Sequence, residues 1–192
     1  MRIGLDIDNV ISAFDEAILR ELLILDKDKR NAGIVNKKAR HIVHGMLDWS
    51  RDEIEEFFAD NMENIAATLR TRQGVRKYLQ KLKDDGHTIV LISNRIYPDY
   101  KQPEKTTLDW LQKRKVPYDE LIISQSPDKT AECKEHSIDI MIDDRAGQCK
   151  KMRANGVNCI LMLTKYNRRE IEDLPYASSW EKLYEVINKW NT

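Results

Sequence analysis

Short, β-branched apolar runs alternate with helical patterns along this chain, and that alternation constrains its fold more than any other feature. The runs are Ile3 to Ile7, Thr88 to Ile92, Glu120 to Ser124, Ile138 to Ile142 and Val157 to Leu163. Strands separated by helices pair in parallel, because each crossover helix carries the chain back to the same end of the sheet. The expected class is α/β, a parallel sheet flanked by helices. The punctuation agrees. Gln73 to Asp85 stops at Asp85-Gly86 directly before His87 to Ile92, and Asn155-Gly156 repeats the device before Val157. Ser178-Ser179-Trp180-Glu181 has the form of a capping box that starts a last helix toward Trp190.

One interval breaks the rhythm. From Ser12 to Arg72 the sequence carries helical periodicity at Ala13 to Leu25, Lys37 to His44 and Arg51 to Leu69, with no strand signal. Ser50-Arg51-Asp52-Glu53 is a second capping box, and Ile54, Phe57, Phe58 and Met62 form an apolar stripe behind it. A crossover between neighbouring parallel strands needs about a dozen residues, so roughly sixty is a large excess. The excess is expected to form a small helical cap, residues 13–71, inserted after the first strand. The core is then 1–12 plus 72–192, with cap hinges near Ser12 and Arg72 if the cap moves as a lid.

Composition narrows the function. Of 192 residues 41% are hydrophobic, enough for one well-buried core. Lys plus Arg and Asp plus Glu number 32 each, so no global field draws the chain to a nucleic acid polymer or a membrane. An anion site must be local. Cys133, Cys149 and Cys159 make neither an even disulfide set nor a paired metal-ligand spacing; they read as small core residues in a reducing compartment. The opening residues have no secretory-signal pattern and no segment has the length of a membrane span, so a cytoplasmic location is expected.

Chemistry-bearing residues stand where the strands end. Asp6 and Asp8 follow the first run, Ser93-Asn94 the second, Lys129 lies beyond the third, and Asp143-Asp144 close the fourth. In a doubly wound sheet the C-terminal strand ends face one crevice, which gathers these residues without further assumption. Their types suit phosphoryl transfer. An aspartate such as Asp6 can attack phosphorus and split one hydrolysis into two displacements. Asp8 can protonate the leaving oxygen and later activate water. Carboxylates and a phosphate monoester repel one another, so a hard cation such as Mg²⁺, held by Asp6 and Asp143, is expected. Ser93, Asn94 and Lys129 can hold phosphoryl oxygens. Arg145 is an alternative neutraliser of the Asp143-Asp144 pair.

These residues resemble the four motifs of the haloacid dehalogenase superfamily of phosphohydrolases, and the resemblance spans nearly the whole chain. Asp6-Ile7-Asp8-Asn9-Val10 resembles the first motif, Ser93 the second, Lys129 the third and Asp143-Asp144 the fourth. The resemblance implies a Rossmann-like core, a metal site in which the Asp8 main-chain carbonyl takes part, and a place for Asp144 in or just behind the metal's first shell. The second aspartate at position 8 is the mark of the phosphatase and phosphomutase branches. Trp110-Leu111, Ile138 to Asp144 and the inserted cap look most like 5′-nucleotidases of the deoxyribonucleotidase type. Two departures stand out: Asn9, where many relatives have Gly, and Ser93-Asn94-Arg95, where animal deoxyribonucleotidases have Thr-Ser-Pro.

The expected activity is a Mg²⁺-dependent phosphatase for a small phosphate monoester, a nucleoside 5′-monophosphate first. The rivals are a broad sugar or metabolite phosphatase and a catalytically silent nucleotide or phosphate sensor. Trp49, Phe57 and Phe58 are the cap aromatics that could stack on a base, and Arg95 could reach a phosphate or sugar.

Overall fold

The computed structural model describes residues 1–39 and 45–190. Its strands are β1 (Arg2–Leu5), β2 (Thr88–Ser93), β3 (Glu120–Ile123), β4 (Ile140–Asp143), β5 (Cys159–Met162) and β6 (Tyr176–Ala177). All pair in parallel, in the order β3-β2-β1-β4-β5-β6. That is a Rossmann-like sheet. The chain winds outward from β1 in both directions, so the switch point lies between β1 and β4. There the Asp6 amide donates to the Ile142 carbonyl at 2.9 Å, carrying the pairing one residue past β1.

Helix α1 (Phe14–Lys29) and helix α2 (Arg51–Thr68) fill the long interval; α3 (Val75–Asp84), α4 (Pro103–Arg114), α5 (Thr130–Glu135), α6 (Ala146–Ala154) and α7 (Trp180–Trp190) flank the sheet. Alternation along the strands divides the core. Ile89 and Leu91 of β2 and Ile140 and Ile142 of β4 join one buried cluster with Leu79, Trp180 and Leu183. Val90, Ile92, Met141 and Cys159 join the opposite one with Cys133, Cys149 and Met152. All three thiols are buried and free, as small core residues. Gly4 has a steric reason: a Cβ there would lie 2.7 Å from Met141 Sδ and 2.9 Å from Ile138 Cγ2.

The inserted segment departs from the sheet and rejoins it at one place. Ser12 bridges Thr71, with Ala13 N donating to Arg70 O and Arg72 N to Ile11 O, both at 2.8 Å. The capping box at Ser50 forms in both directions, Glu53 N to Ser50 Oγ and Ser50 N to Glu53. Helix α2 is fastened to α4: Glu63 accepts from Lys101 N, Gln102 N and Thr106 Oγ1, Trp110 Nε1 donates to Leu69 O, and Arg114 donates to Thr68 O. Ile18, Leu22, Ile54, Phe57 and Ile65 belong to the same buried cluster as the sheet residues. The insertion therefore packs continuously onto the sheet layer.

Several expectations need correction. Of the helix expected at Lys37 to His44, residues 37–39 form a turn and 40–44 lie outside the described residues. The last helix is capped one residue later than the sequence suggests: Lys182 N donates to Ser179 Oγ, so Ser178 and Glu181 do not make the box. The two-residue β6 carries no pattern long enough to read; its place is fixed by pairing with β5.

Candidate active site

Asp6 stands just past β1, Ser93 ends β2, Asp143 ends β4, and Lys129 is the residue before α5. Topology brings them together. The Lys129 ammonium, 1% exposed, donates to Asp6 Oδ1 at 2.6 Å and to Asp143 Oδ2 at 2.8 Å. Carboxylate oxygens of Asp6, Asp143 and Asp144 lie within 4.8 Å of one another. Lys129, rather than Arg145, is the main neutraliser: Arg145 Nε is 3.9 Å from Asp143, though its backbone N–H donates to Asp143 Oδ1 at 2.9 Å.

Electrostatics follow from that crowding. Burial pushes the Asp6 carboxyl up to about 6, against the pull of Lys129 and with added repulsion from Asp143 and Asp8. Burial, then Asp143 and Asp6, push Asp144 well above the ordinary carboxylate range. Lys129 is held charged; its two carboxylates outweigh its burial. With all three acids ionised, the one ammonium leaves an excess of two negative charges, in a setting of hard oxygen donors. The residues fit a divalent cation of the Mg²⁺ kind.

Asn9 explains the first departure from the family pattern. Its φ of 61° is left-handed, a conformation glycine adopts freely and asparagine tolerates. The side chain gives asparagine a further use: Nδ2 donates to Asp144 Oδ2 at 2.9 Å, and Oδ1 accepts the Asp15 amide at the start of α1, also at 2.9 Å. The Asn9 carbonyl accepts from Arg72 Nη1, whose Nη2 holds Leu163 O. The expected hinge residues are thus stitched to the site.

The Asp8 carboxylate turns away from the three-acid cluster. Arg95, 0% exposed, grips it bidentately, Nη2 to Oδ1 at 2.6 Å and Nε to Oδ2 at 3.2 Å, and Ser12 Oγ adds a bond at 3.2 Å. Arg95 also donates to Thr107 Oγ1 and lies 5.5 Å over the Tyr100 ring. It is neither a surface arginine nor one free to reach a substrate. Its charge is maintained, burial being outweighed chiefly by Asp8.

A cleft of about 480 Å³ opens above these groups, with Asp6, Asp8, Ser93, Asn94 and Asp144 in its floor and Tyr166 on one wall. A narrower cavity of about 280 Å³ continues from it beneath α1 and α2. Of the cap aromatics expected there, only Phe58 lines that cavity. Phe57 is buried in the core, and Trp49 packs edge-on against it while donating to Asp26. Phe14 and Tyr166 take the expected places instead. Phe14 could have been read from its position opening α1. Tyr166 and Asn167, whose Nδ2 ties Asp144 O to Met162 O at 2.7 and 2.9 Å, sit in a loop with no periodicity to reveal them. Asn94 lines both cavities, and its Nδ2 is tied to Ser124 O.

The profile of the family "5′ nucleotidase, deoxy (pyrimidine), cytosolic type C protein" matches residues 1–191. The chain belongs to this family. It is a phosphoric monoester hydrolase of the 5′-nucleotidase type, in the haloacid dehalogenase superfamily. A protein of Chlorobaculum tepidum provisionally named 5′(3′)-deoxyribonucleotidase is 25% identical over 82% of this chain and 78% of its own. Among solved structures, a haloacid dehalogenase-like hydrolase from Streptococcus pneumoniae superposes with a TM-score of 0.68 over 97% of each chain at 14% identity. A D,D-heptose 1,7-bisphosphate phosphatase from B. bronchiseptica, solved with magnesium and phosphate, gives a TM-score of 0.57 at 12% identity over 98% of this chain and 99% of that one. These structures establish the enzyme's fold.

Proposed function

We propose that this enzyme hydrolyses a nucleoside 5′-monophosphate through an aspartyl-phosphate on Asp6, with Mg²⁺ as cofactor. The observation that carries the reading is the ring of buried Asp6, Lys129 and Asp143 with half-buried Asp144 at the switch point, beneath a cleft large enough for a phosphoryl group. Asp6, Asp143 and Asp144 would hold the ion, with the Asp8 main-chain carbonyl as a further ligand. Bound there, Mg²⁺ would offset the charge of the carboxylates and the phosphoryl oxygens.

The residues divide the work. An Asp6 carboxylate oxygen forms a bond to phosphorus as the ester P–O bond breaks, and the leaving oxygen takes a proton from Asp8. Water then attacks phosphorus, Asp8 takes its proton, and the acyl-phosphate bond opens to free Asp6 and inorganic phosphate. Ser93, Asn94 and Lys129 hold the phosphoryl oxygens, and Lys129 fixes Asp6 in line. Arg95 and Ser12 take three of the roughly four acceptor positions of the Asp8 carboxylate, two on Oδ1 and one on Oδ2, which leaves a position on Oδ2 for the proton it transfers.

Residues 13–71 act in this reading as a cap on a core of 1–12 and 72–192, covering the narrower cavity with Phe14, Ile18, Phe58 and Met62. An apolar, aromatic-walled slot beside a phosphate site suits a nucleobase. The free buried thiols suit a reducing compartment, and we place the enzyme in the cytoplasm.

The test is phosphate release from nucleoside 5′-monophosphates, sugar phosphates and p-nitrophenyl phosphate, with Mg²⁺ and with chelator. Chelator-sensitive release concentrated on nucleotides supports the reading; even release across the panel indicates a broad metabolite phosphatase; tight nucleotide binding without release indicates a sensor. Asp6→Asn should abolish turnover, and retained activity would refute the covalent step.

A further inference from the structure

After Arg95 the chain loops out through the exposed Tyr97 and returns with Asp99 and Tyr100 on the wall of the narrower cavity. The turn is closed by Tyr100 N donating to Ile96 O at 3.0 Å. Two features of this return are unusual. The Tyr100 side chain is 4% exposed, yet its hydroxyl has no hydrogen-bond partner among the described residues. A buried hydroxyl without a partner costs free energy, so its retention points to a partner that arrives. The half-buried carboxylate of Asp99, next in the chain, likewise has no hydrogen bond or ion pair among the described residues.

The charge of the cavity sharpens the point. Asp8, Asp15 and Asp99 line it, and no lysine, arginine or histidine among the described residues does. Arg95 lies behind the wall, committed to Asp8 and Thr107. A leaving group with a second phosphate would meet like charge and, among the described residues, no cation. An uncharged one with an N–H or O–H would meet an open carboxylate beside a hydroxyl able to donate or accept. Burial and the nearby Glu55 carboxylate push the Asp99 carboxyl upward, a strain that an incoming donor relieves.

We propose that Asp99 and Tyr100 are specificity-determining residues, which bind a hydrogen-bonding edge of the nucleoside and exclude leaving groups carrying a second phosphate. This rests on the nucleotidase reading above. The shared chemistry is a neutral donor-bearing group next to the aromatic slot, and it has two sources: the N–H edge of the base or the hydroxyls of the sugar.

The experiment compares wild type, Asp99→Asn and Tyr100→Phe on ribo- and deoxyribonucleoside 5′-monophosphates, fructose 1,6-bisphosphate and p-nitrophenyl phosphate. The variants change one atom or remove one, and circular dichroism checks that they fold. The readout is kcat/KM for each nucleotide divided by that for p-nitrophenyl phosphate. Losing a hydrogen bond to a charged group should lower this ratio about tenfold or more in Asp99→Asn, mainly through KM, with a smaller fall in Tyr100→Phe. A fall shared by ribo- and deoxyribonucleotides assigns the contact to the base or the 3′-hydroxyl; a fall confined to ribonucleotides assigns it to the 2′-hydroxyl. Asp99→Asn should also raise the bisphosphate rate relative to the nucleotide rate severalfold. Unchanged ratios in both variants would overturn the proposal while wild-type hydrolysis of nucleotides left the nucleotidase reading standing. Wild-type turnover of p-nitrophenyl phosphate without any nucleotide would overturn both.

Discussion

Replacing Lys129 with methionine removes the ammonium shared by Asp6 and Asp143 while keeping most of the side-chain volume. The two bonds are short and the site is buried, so leaving the carboxylates unpaired should cost about 3–5 kcal/mol. Protonation sets a ceiling. With its carboxyl at about 6, Asp6 already costs about 3 kcal/mol when ionised. Taking up a proton in the folded state at pH 7 costs any one carboxylate at most about 4 kcal/mol, so Asp6 can add only about 1. The remainder falls on the Asp143 carboxylate, which loses its bond at 2.8 Å. At roughly 2–4 °C per kcal/mol for a chain of this length, the melting temperature should fall by about 6–20 °C in chelator at pH 7. Thermal melts followed by circular dichroism are the assay. The deficit should narrow at about pH 5.5, where protons replace the lysine, and again with millimolar Mg²⁺ at pH 7. A variant that melts within about 2 °C of wild type in chelator at pH 7 would refute the reasoning.

The remaining predictions concern pH, the Asp8 grip and the core. Because the folded-state carboxyl of Asp6 lies at about 6, above its unfolded value, the stability it contributes to the metal-free protein is present near pH 4 and lost as pH rises through about 6. Mg²⁺ competes with that proton, so its affinity by calorimetry should fall up to about tenfold per unit below pH 6; equal affinity at about pH 5 and 7.5 would contradict this. Arg95→Lys keeps the charge but loses the fork on Asp8, so kcat should fall at least about tenfold more for nucleotides than for p-nitrophenyl phosphate, whose phenolate leaves without a proton. Equal losses would remove Arg95 from the positioning of Asp8. Gly4→Ala places a methyl against Met141 and Ile138 and should destabilise by about 1–3 kcal/mol in denaturant titration, a result that an unchanged midpoint would negate.

The sequence by itself determined the parallel α/β class, because strands of period two separated by helices have few other ways to bury their apolar faces. It also determined which side chains meet. Asp6, Ser93, Lys129 and Asp143 stand at strand ends or a helix start, and parallel winding sends all of those to one edge. Tertiary structure alone decided their electrostatic roles. Nothing around Arg95 in the sequence says that its guanidinium will be buried against Asp8, since that depends on how the turn after β2 folds under α4. The aromatic wall of the cavity was likewise decided in three dimensions. Trp49, Phe57 and Phe58 share the inserted segment, but the packing of α1 on α2 buries Phe57, turns Trp49 to Asp26 and leaves only Phe58 beside Phe14 and Tyr166. Local pattern fixes which face of an element is apolar; which of those residues borders a cavity depends on the angle and depth at which two elements meet. No one-dimensional pattern records that.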